Sequence, residues 1–427
     1  MSGSGRHPAL DCVHCGFCLP VCPTWAVWGR EPDSPRGRIE IARSMLDGAA
    51  PTAEMVSHLD SCLGCMACIA ACPSGVRYDA VIEEARARVE ASGVRTSADA
   101  GRRSAIFSLF PHPGRLRVAA VFLWLWRVTG LRWLTRATGL TRLVPFIGRL
   151  DALAPDLGFG EVTSSLPAGA RAEGTSRGRV ALVGGCVQRV FFPGVNEATL
   201  RVLSAEGYDV VVPLGQGCCG ALSVHAGRDD EARAMTRDLV ERLEASGAGT
   251  FLVNAAGCGS HLKDLGHLFR GDPAWRDRAV AFSRKVKDVT EFLAAVAPQA
   301  ARHPIQARVA YHSPCHLGHA QGIQDPPRAL LRAIPGIELV EIAEGDQCCG
   351  SAGIYNLVQV EAADELGARK AANVLATGAP FLASANPGCT LQVQRVLREK
   401  GASVQAAHPI EILDASIRGK PFPRTGR

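Results

Sequence analysis

Two cysteine runs near the start of the chain share one spacing, C-x-x-C-x-x-C-x-x-x-C-P: Cys12, Cys15, Cys18, Cys22 and Pro23, then Cys62, Cys65, Cys68, Cys72 and Pro73. A cubane iron–sulfur cluster takes four thiolates, one per iron, and three cysteines at i, i+3 and i+6 can wrap one cluster within a tight loop. In this pattern the fourth cysteine of each run ligates the other cluster. The expected sets are Cys12, Cys15, Cys18 and Cys72 for one 4Fe-4S cluster, and Cys62, Cys65, Cys68 and Cys22 for a second. Crossed ligation ties the halves together and brings the clusters close enough to exchange electrons. The prolines fix φ where each loop leaves the site. Gly16 and Gly64 permit close backbone approach, and amides near the sulfurs tune the potential. Structural zinc on C-x-x-C pairs accounts for neither the duplication nor the Cys-Pro ends. His14 lies inside the first run, whose ligand set is already complete, so it is read as a local hydrogen-bonding or tuning group.

These ligands need a frame. Residues 36–46, 52–61 and 78–91 read as helices, with a break at 48–51. Residues 1–95 are therefore expected to form an α-helical two-cluster ferredoxin domain. Residues 96–175 form a helical, basic connector and linker. Within it, 116–134 is apolar, Trp-rich and flanked by Arg115, Arg117, Arg127, Arg132 and Arg136. Such a segment suits an anionic membrane surface. Its uneven apolar stripe favours instead a helix packed between domains or against a partner subunit. Residues 155–179 read as a loose linker.

The rest of the chain repeats itself. Cys186, Cys218-Cys219-Gly220 and Cys258 are matched by Cys315, Cys348-Cys349-Gly350 and Cys389. The intervening residues number 31 and 38 in the first copy, and 32 and 39 in the second. Short apolar strands lead into the first and last cysteine of each copy, and VTEFL at 289–293 echoes PIEIL at 409–413. Self-similarity of this kind marks a duplication. Strands alternating with helices at 197–206, 230–244 and 362–375 predict two α/β Cys-Cys-Gly domains, 176–300 and 301–427, with short parallel sheets. The cysteines fall at strand-to-loop junctions, where open α/β sheets build sites.

Adjacent Cα atoms are ~3.8 Å apart, shorter than a disulfide normally spans, so the paired cysteines suit one metal site or two neighbouring irons. Three readings fit Cys186, Cys218, Cys219, Cys258, Cys315, Cys348, Cys349 and Cys389: a further iron–sulfur cluster, structural zinc, or buried thiols and a redox dithiol. His261 and His316 are spare donors, read as neighbours of the site and not ligands.

The net charge of +6, from 47 basic and 41 acidic residues, does not suggest a nucleic-acid binder. The first ten residues contain no apolar signal core, and no apolar run reaches the ~18 residues of a spanning helix. The stretch 118–126 comes nearest. Sixteen cysteines in a chain without a signal for export are expected to bind metal in a reducing cytosol. There is no Walker A loop and no G-x-G-x-x-G opening a helix; Gly247-Ala248-Gly249 reads as a turn before a strand. No nucleophile–base set stands out, so no catalytic residue is assigned and substrate oxidation is expected on a partner.

The residues Cys12-Val13-His14-Cys15-Gly16-Phe17-Cys18, Cys22-Pro23-Thr24 and Asp33-Ser34-Pro35-Arg36-Gly37-Arg38-Ile39 resemble the iron–sulfur subunit of bacterial glycolate oxidase. So do Cys72-Pro73-Ser74-Gly75-Val76-Arg77-Tyr78, Gly217-Cys218-Cys219-Gly220-Ala221, Ser313-Pro314-Cys315 and Cys348-Cys349-Gly350-Ser351-Ala352-Gly353. The wider superfamily includes heterodisulfide reductase subunits, the anaerobic glycerol-3-phosphate dehydrogenase C subunit and lactate-utilisation proteins. In that superfamily the repeat often ends in C-x-x-C. Here Ala255 and Asn386 stand three before Cys258 and Cys389, which argues against a large non-cubane cluster. The resemblance implies an electron-transfer component of an acceptor-linked glycolate dehydrogenase. FAD-binding subunits would be its partners and the quinone pool its electron sink. It also implies a cytoplasmic location, with peripheral contact at the cytoplasmic face of the inner membrane. The alternatives are a heterodisulfide-reductase-like thiol-disulfide reductase and the glycerol-3-phosphate enzyme's iron–sulfur subunit.

Overall fold

The computed structural model describes residues 7–139 and 145–423. The first six residues of the expected ferredoxin domain, 140–144 of the connector and the last four of the second repeat lie outside that description. The amino-terminal module is helical. Pro35–Leu46 starts where Ser34 Oγ accepts from the Gly37 amide at 3.0 Å. Ala53–Asp60 starts where Thr52 Oγ1 accepts from Met55 at 3.2 Å. Both caps satisfy amides that the first helical turn leaves free. The third helix, Tyr78–Ser92, packs Val81, Ile82, Ala85 and Val89 against Ile39, Ala42 and Leu59.

The connector is helical over Ser97–Leu109, Pro113–Val128 and Leu131–Ala137, then Pro145–Leu153. The apolar segment expected to run through 116–134 is broken at Gly130, whose φ of +78° begins a new helix. Pro113–Val128 buries Leu116 and Ala120 against Val162, Val190 and Phe191, as the domain-packed reading expects. Its other face is exposed. Among the described residues no helix is long and apolar enough to cross a membrane.

The segment 155–179 is more ordered than a linker. It carries the helix Phe159–Thr163 and the edge strand β1 (Gly169–Ala170), which pairs antiparallel with β3. Its small residues admit close pairing: a Cβ at Gly169 would collide with the Val210 carbonyl oxygen. The first repeat continues with β2 (Arg179–Val183), β3 (Asp209–Val211), β4 (Thr250–Val253) and β5 (Val286–Asp288), in sheet order β1-β3-β2-β4-β5. The second has β6 (Ala307–His312), β7 (Ile337–Glu341), β8 (Phe381–Ser384) and β9 (Gln405–Ala407), in order β7-β6-β8-β9. All pairs except β1–β3 are parallel.

The two orders correspond, β3-β2-β4-β5 to β7-β6-β8-β9. The echoed VTEFL and PIEIL segments both open helices, Val289–Ala294 and Pro409–Ile417, each with a capping box. One core joins the repeats: Val180, Leu182 and Leu252 share it with Val309, Tyr311 and Ala407. Arg201 and Asp414 pair across it at 2.7 Å. In each sheet the chain leaves the first strand for one side and returns to the other. The resulting crevices lie between β2 and β4, and between β6 and β8, at the carboxyl ends of the strands. Open α/β sheets build their sites in such crevices.

Candidate iron–sulfur and metal centres

Cys12, Cys15, Cys18 and Cys72 line one small cavity, into which Cys68 also reaches. Cys22, Cys62, Cys65 and Cys68 are buried. Burial pushes the Cys68 thiol well up, and Cys65, Cys62 and Cys22 add repulsion. Cys62 ends lower than an ordinary thiol. Burial raises it, but Arg38, Arg86, the Tyr78 hydroxyl and the Gly64 amide outweigh that cost. The Tyr78 hydroxyl donates to Cys62 Sγ at 3.5 Å and the Gly64 amide at 3.3 Å, the kind of contact expected to tune a cluster. A dense set of buried thiolates repels itself, and a bound cationic iron core relieves that repulsion. The donor set therefore fits the two expected clusters. His14 hydrogen-bonds locally, 3.0 Å from Arg43 Nη1 and 3.1 Å from Glu40 Oε1.

Arg38 anchors this region. It is 1% exposed and donates to the His58 carbonyl at 2.7 Å, Thr24 Oγ1 at 3.1 Å and Ser61 Oγ at 2.7 Å. Arg86 reaches outward, donating to the Cys62 carbonyl at 2.5 Å and the His225 carbonyl at 2.8 Å. It thus ties the ferredoxin-like module to the first repeat.

All eight repeat cysteines line a single cavity of about 890 Å3. The first quartet runs from Cys186, whose Sγ is 3.6 Å from Cys218, through Cys219 to Cys258. The second runs Cys315, Cys348, Cys349, Cys389 through thiol–thiol hydrogen bonds. These bonds hold Cys315 and Cys349 well below the ordinary thiol range and push Cys348 well above it. All sixteen cysteines are free, the vicinal pairs included. The paired cysteines turn on Gly220 (φ +95°) and Gly350 (φ +83°). A Cβ at Gly350 would lie 2.6 Å from the Ala363 carbonyl oxygen, so only glycine fits there.

The two quartets are not equivalent. His312, at the end of β6, offers a nitrogen that lies with the Cys349 and Cys389 sulfurs inside 4.8 Å. Both its ring nitrogens are buried, and the ring lies close enough to Cys349 to help hold that thiol down. The matching position of the first repeat is Val183, so sequence comparison of the two copies would have found it. The first quartet offers sulfur alone, and the second adds this imidazole. Asn386, in the place of a superfamily cysteine, donates to Cys389 Sγ at 3.3 Å. His316 Nδ1 is 3.5 Å from Cys315 Sγ and its Nε2 is 3.1 Å from His225 Nε2. His261 bonds Thr236 at 3.2 Å. His316 thus touches Cys315 directly, whereas His261 reaches Cys219 only through Thr236, whose hydroxyl donates to the Cys219 carbonyl. His225 has no signal in the sequence.

A helical dicluster module joined to two cysteine-bearing α/β units defines an iron–sulfur electron carrier. The description "4Fe-4S dicluster domain" matches residues 8–76, and "Cysteine-rich domain" matches 180–263 and 309–394. Residues 99–154 match "Glycolate oxidase iron-sulfur subunit, linker region". The chain is 36% identical over 412 residues to the probable glycolate oxidase iron-sulfur subunit of Bacillus subtilis (strain 168), covering 95% of this chain and 93% of that one. It is 33% identical over 413 residues to the glycolate oxidase iron-sulfur subunit of Escherichia coli (strain K12), with the same coverage. Lactate utilization protein A of Oceanobacillus iheyensis is 30% identical over 243 residues, 56% of this chain and 98% of that one. The chain belongs to the glycolate oxidase iron-sulfur subunit family.

Proposed function

We propose that this chain relays electrons inside an acceptor-linked glycolate dehydrogenase complex, from FAD-binding subunits through its own clusters towards the quinone pool. The observation that carries this reading is that Cys65, Cys315 and Cys348 share one buried cluster of side chains. It gives the cysteines of the ferredoxin-like module and those of the repeats a shared, dry boundary. Bound clusters would supply one-electron transfer, the counterpart of a two-electron flavin. Cys12, Cys15, Cys18 and Cys72 would hold one 4Fe-4S cluster, and Cys62, Cys65, Cys68 and Cys22 the other. The repeat quartets would hold further metal, as iron–sulfur in the all-sulfur first set and as iron–sulfur or zinc in the second, where His312 adds a nitrogen donor.

The chain's own residues do the rest. Arg38 and Arg86 place positive charge beside Cys62. The apolar side chains of Leu63, Ala67 and Tyr355 exclude water between the modules. The division of labour follows 1–95 as ferredoxin domain, 96–175 as connector, and 176–300 and 301–427 as the repeats. Peripheral docking on the cytoplasmic face of a membrane fits the exposed apolar side of the connector. Anaerobic co-purification tests the reading. Glycolate should reduce the clusters of a complex that contains a flavoprotein. A preparation that binds iron yet is never reduced by glycolate through any partner overturns it.

A further inference from the structure

We propose that the cavity under the connector helices is the reduction site of a lipophilic quinone, with Gln188 as a hydrogen-bonding partner of its head group. This rests on the quinone-pool reading above and assigns it a location.

The cavity's volume of about 890 Å3 falls in the ~300–1,000 Å3 range of small-molecule sites. It is lined by the two cysteine quartets and by apolar side chains that include Leu116, Phe122, Leu123 and Trp126 from the helix Pro113–Val128. Metal held by the cysteines would occupy their part of the cavity, and the remaining lining is largely apolar. Among the described residues no Asp, Glu, Lys or Arg lines it. His316 and His225 also line it, but the His316 ring is engaged by Cys315 Sγ and by His225 Nε2. A carboxylate substrate or a phosphorylated nucleotide would meet no free cationic side chain there, and burying such a charge poorly paired is costly. The walls select a neutral, apolar ligand, and the cysteines select one that accepts electrons.

Gln188 supplies the polar contact. It sits two residues after Cys186, is 2% exposed, and stands between this cavity and a small polar one that it shares with Ser384 and His408. Neither its Nε2 nor its Oε1 has a hydrogen-bond partner. A buried amide left unpaired costs ~1–3 kcal/mol, and a ligand head group in the large cavity can pair with it. A quinone carbonyl accepts from Nε2, and a quinol hydroxyl donates to Oε1. One side chain therefore serves both redox states.

The mouth continues onto an apolar surface. Phe122, Leu125 and Leu131 line the cavity and are also 66%, 40% and 49% exposed. Val128, Trp133 and Leu134 extend that surface with 53%, 73% and 48% exposure. A surface of this character beside Arg115 matches an interfacial membrane contact, through which an apolar tail can enter. The balance is complete. The 2-hydroxy acid loses two electrons and two protons to become the 2-oxo acid. The quinone takes two electrons, delivered singly from the cysteine-bound metal, and two protons from solvent to become the quinol.

The test uses the intact complex. A photoreactive short-chain azidoquinone should cross-link within 109–131 and 186–191 and be displaced by the unlabelled quinone. Gln188→Leu and the space-filling Leu123→Trp should each raise the ratio of quinone KM to artificial-dye KM about tenfold. Cross-links confined to another surface or to a partner subunit, or an unmoved ratio, overturn the site. If the unaltered complex reduces the dye with glycolate but reduces no quinone, the acceptor reading itself falls. Quinone reduction with labels and variants that miss the cavity sinks this inference alone.

Discussion

Cys65 of the second ferredoxin run and Cys315 of the second repeat meet in one buried cluster of side chains with Leu63, Ala67, Cys348 and Tyr355. Burial pushes the Cys65 thiol well up, and the negative charge of Cys315 adds most among its neighbours. The Tyr355 hydroxyl donates to the Ser61 carbonyl at 3.1 Å and fixes the two modules across this contact. The ferredoxin-like module thus presents its second site to the second repeat. The first repeat is tied to it by Arg86 and faces the shared cavity from the other side.

The double variant Cys218→Ala/Cys348→Ala tests whether the modules load independently. It should keep about eight iron atoms per chain and both ferredoxin EPR signals, and lose the metal in excess of that. If the second quartet holds iron–sulfur and not zinc, the variant should also remove spin–spin broadening of the ferredoxin signal. Loss of the ferredoxin signals themselves would reject modular loading.

Arg38 should set both stability and potential. Its fully buried guanidinium neighbours Cys62, Cys22 and Asp33. Arg38→Met leaves Asp33 its closer partners His58 and Ser61, both at 2.9 Å, but strips donors from the His58 carbonyl, Thr24 and Ser61, and should cost about 1–3 kcal/mol. In protein that still folds, removing a positive charge beside the second cluster should lower its midpoint potential by tens of millivolts, on the order expected from a screened charge. Redox titration followed by EPR reads the shift, and a potential that does not move refutes the electrostatic role.

Much of this was legible from spacing. The duplicated sheets and the helices at 36–46, 52–61 and 78–91 rest on short-range pattern: caps, turn residues and cysteine intervals. The shared cavity was not. Cys186 and Cys389 are distant in sequence, and only the packing of β2 and β6 into one core turns their crevices to the same space. The connector was misread in part for the same reason. Phe122 and Trp126 look like one unbroken apolar run in sequence, whereas in the fold one edge of the helix is buried, one lines the cavity and one is bare. His312 was overlooked because a lone histidine ending an apolar strand resembles any core residue until it is set against Val183 of the other copy.

Gly350→Ala should disable the second quartet alone. The residue has φ +83° and no room for a Cβ against Ala363. A side chain there must shift Cys348 and Cys349, at about 1–3 kcal/mol of backbone strain. Metal analysis should show loss from the second repeat, with the ferredoxin EPR signals intact. Full metal content in this variant would mean that the Cys-Cys-Gly turn tolerates more than its geometry allows.

Glu83 should make the interface between the ferredoxin-like module and the first repeat sensitive to pH. Its carboxyl lies 3.6 Å from His225 Nδ1 and 3.8 Å from His267 Nε2. Burial pushes its pKa from the usual 4.5 up to about 7, against the pull of His267 and Arg86 and with the push of Asp79 and Asp229. Burial also holds His225 at about 3 and lowers His267, so neither imidazole carries a full compensating charge at neutral pH. A raised carboxyl pKa means that the folded chain binds more protons than the unfolded one between about 4.5 and 7. Stability must then fall as pH rises through that window and level off above it. Glu83→Gln mimics the protonated form and should flatten the decline, gaining about 2 kcal/mol over the unaltered chain at about pH 8 and little at about pH 4. Thermal midpoints of the anaerobic, metal-loaded subunit at the two pH values measure this. An equal loss of stability at both would show that the carboxylate is stabilised as an ion, and would reverse the sign assigned here.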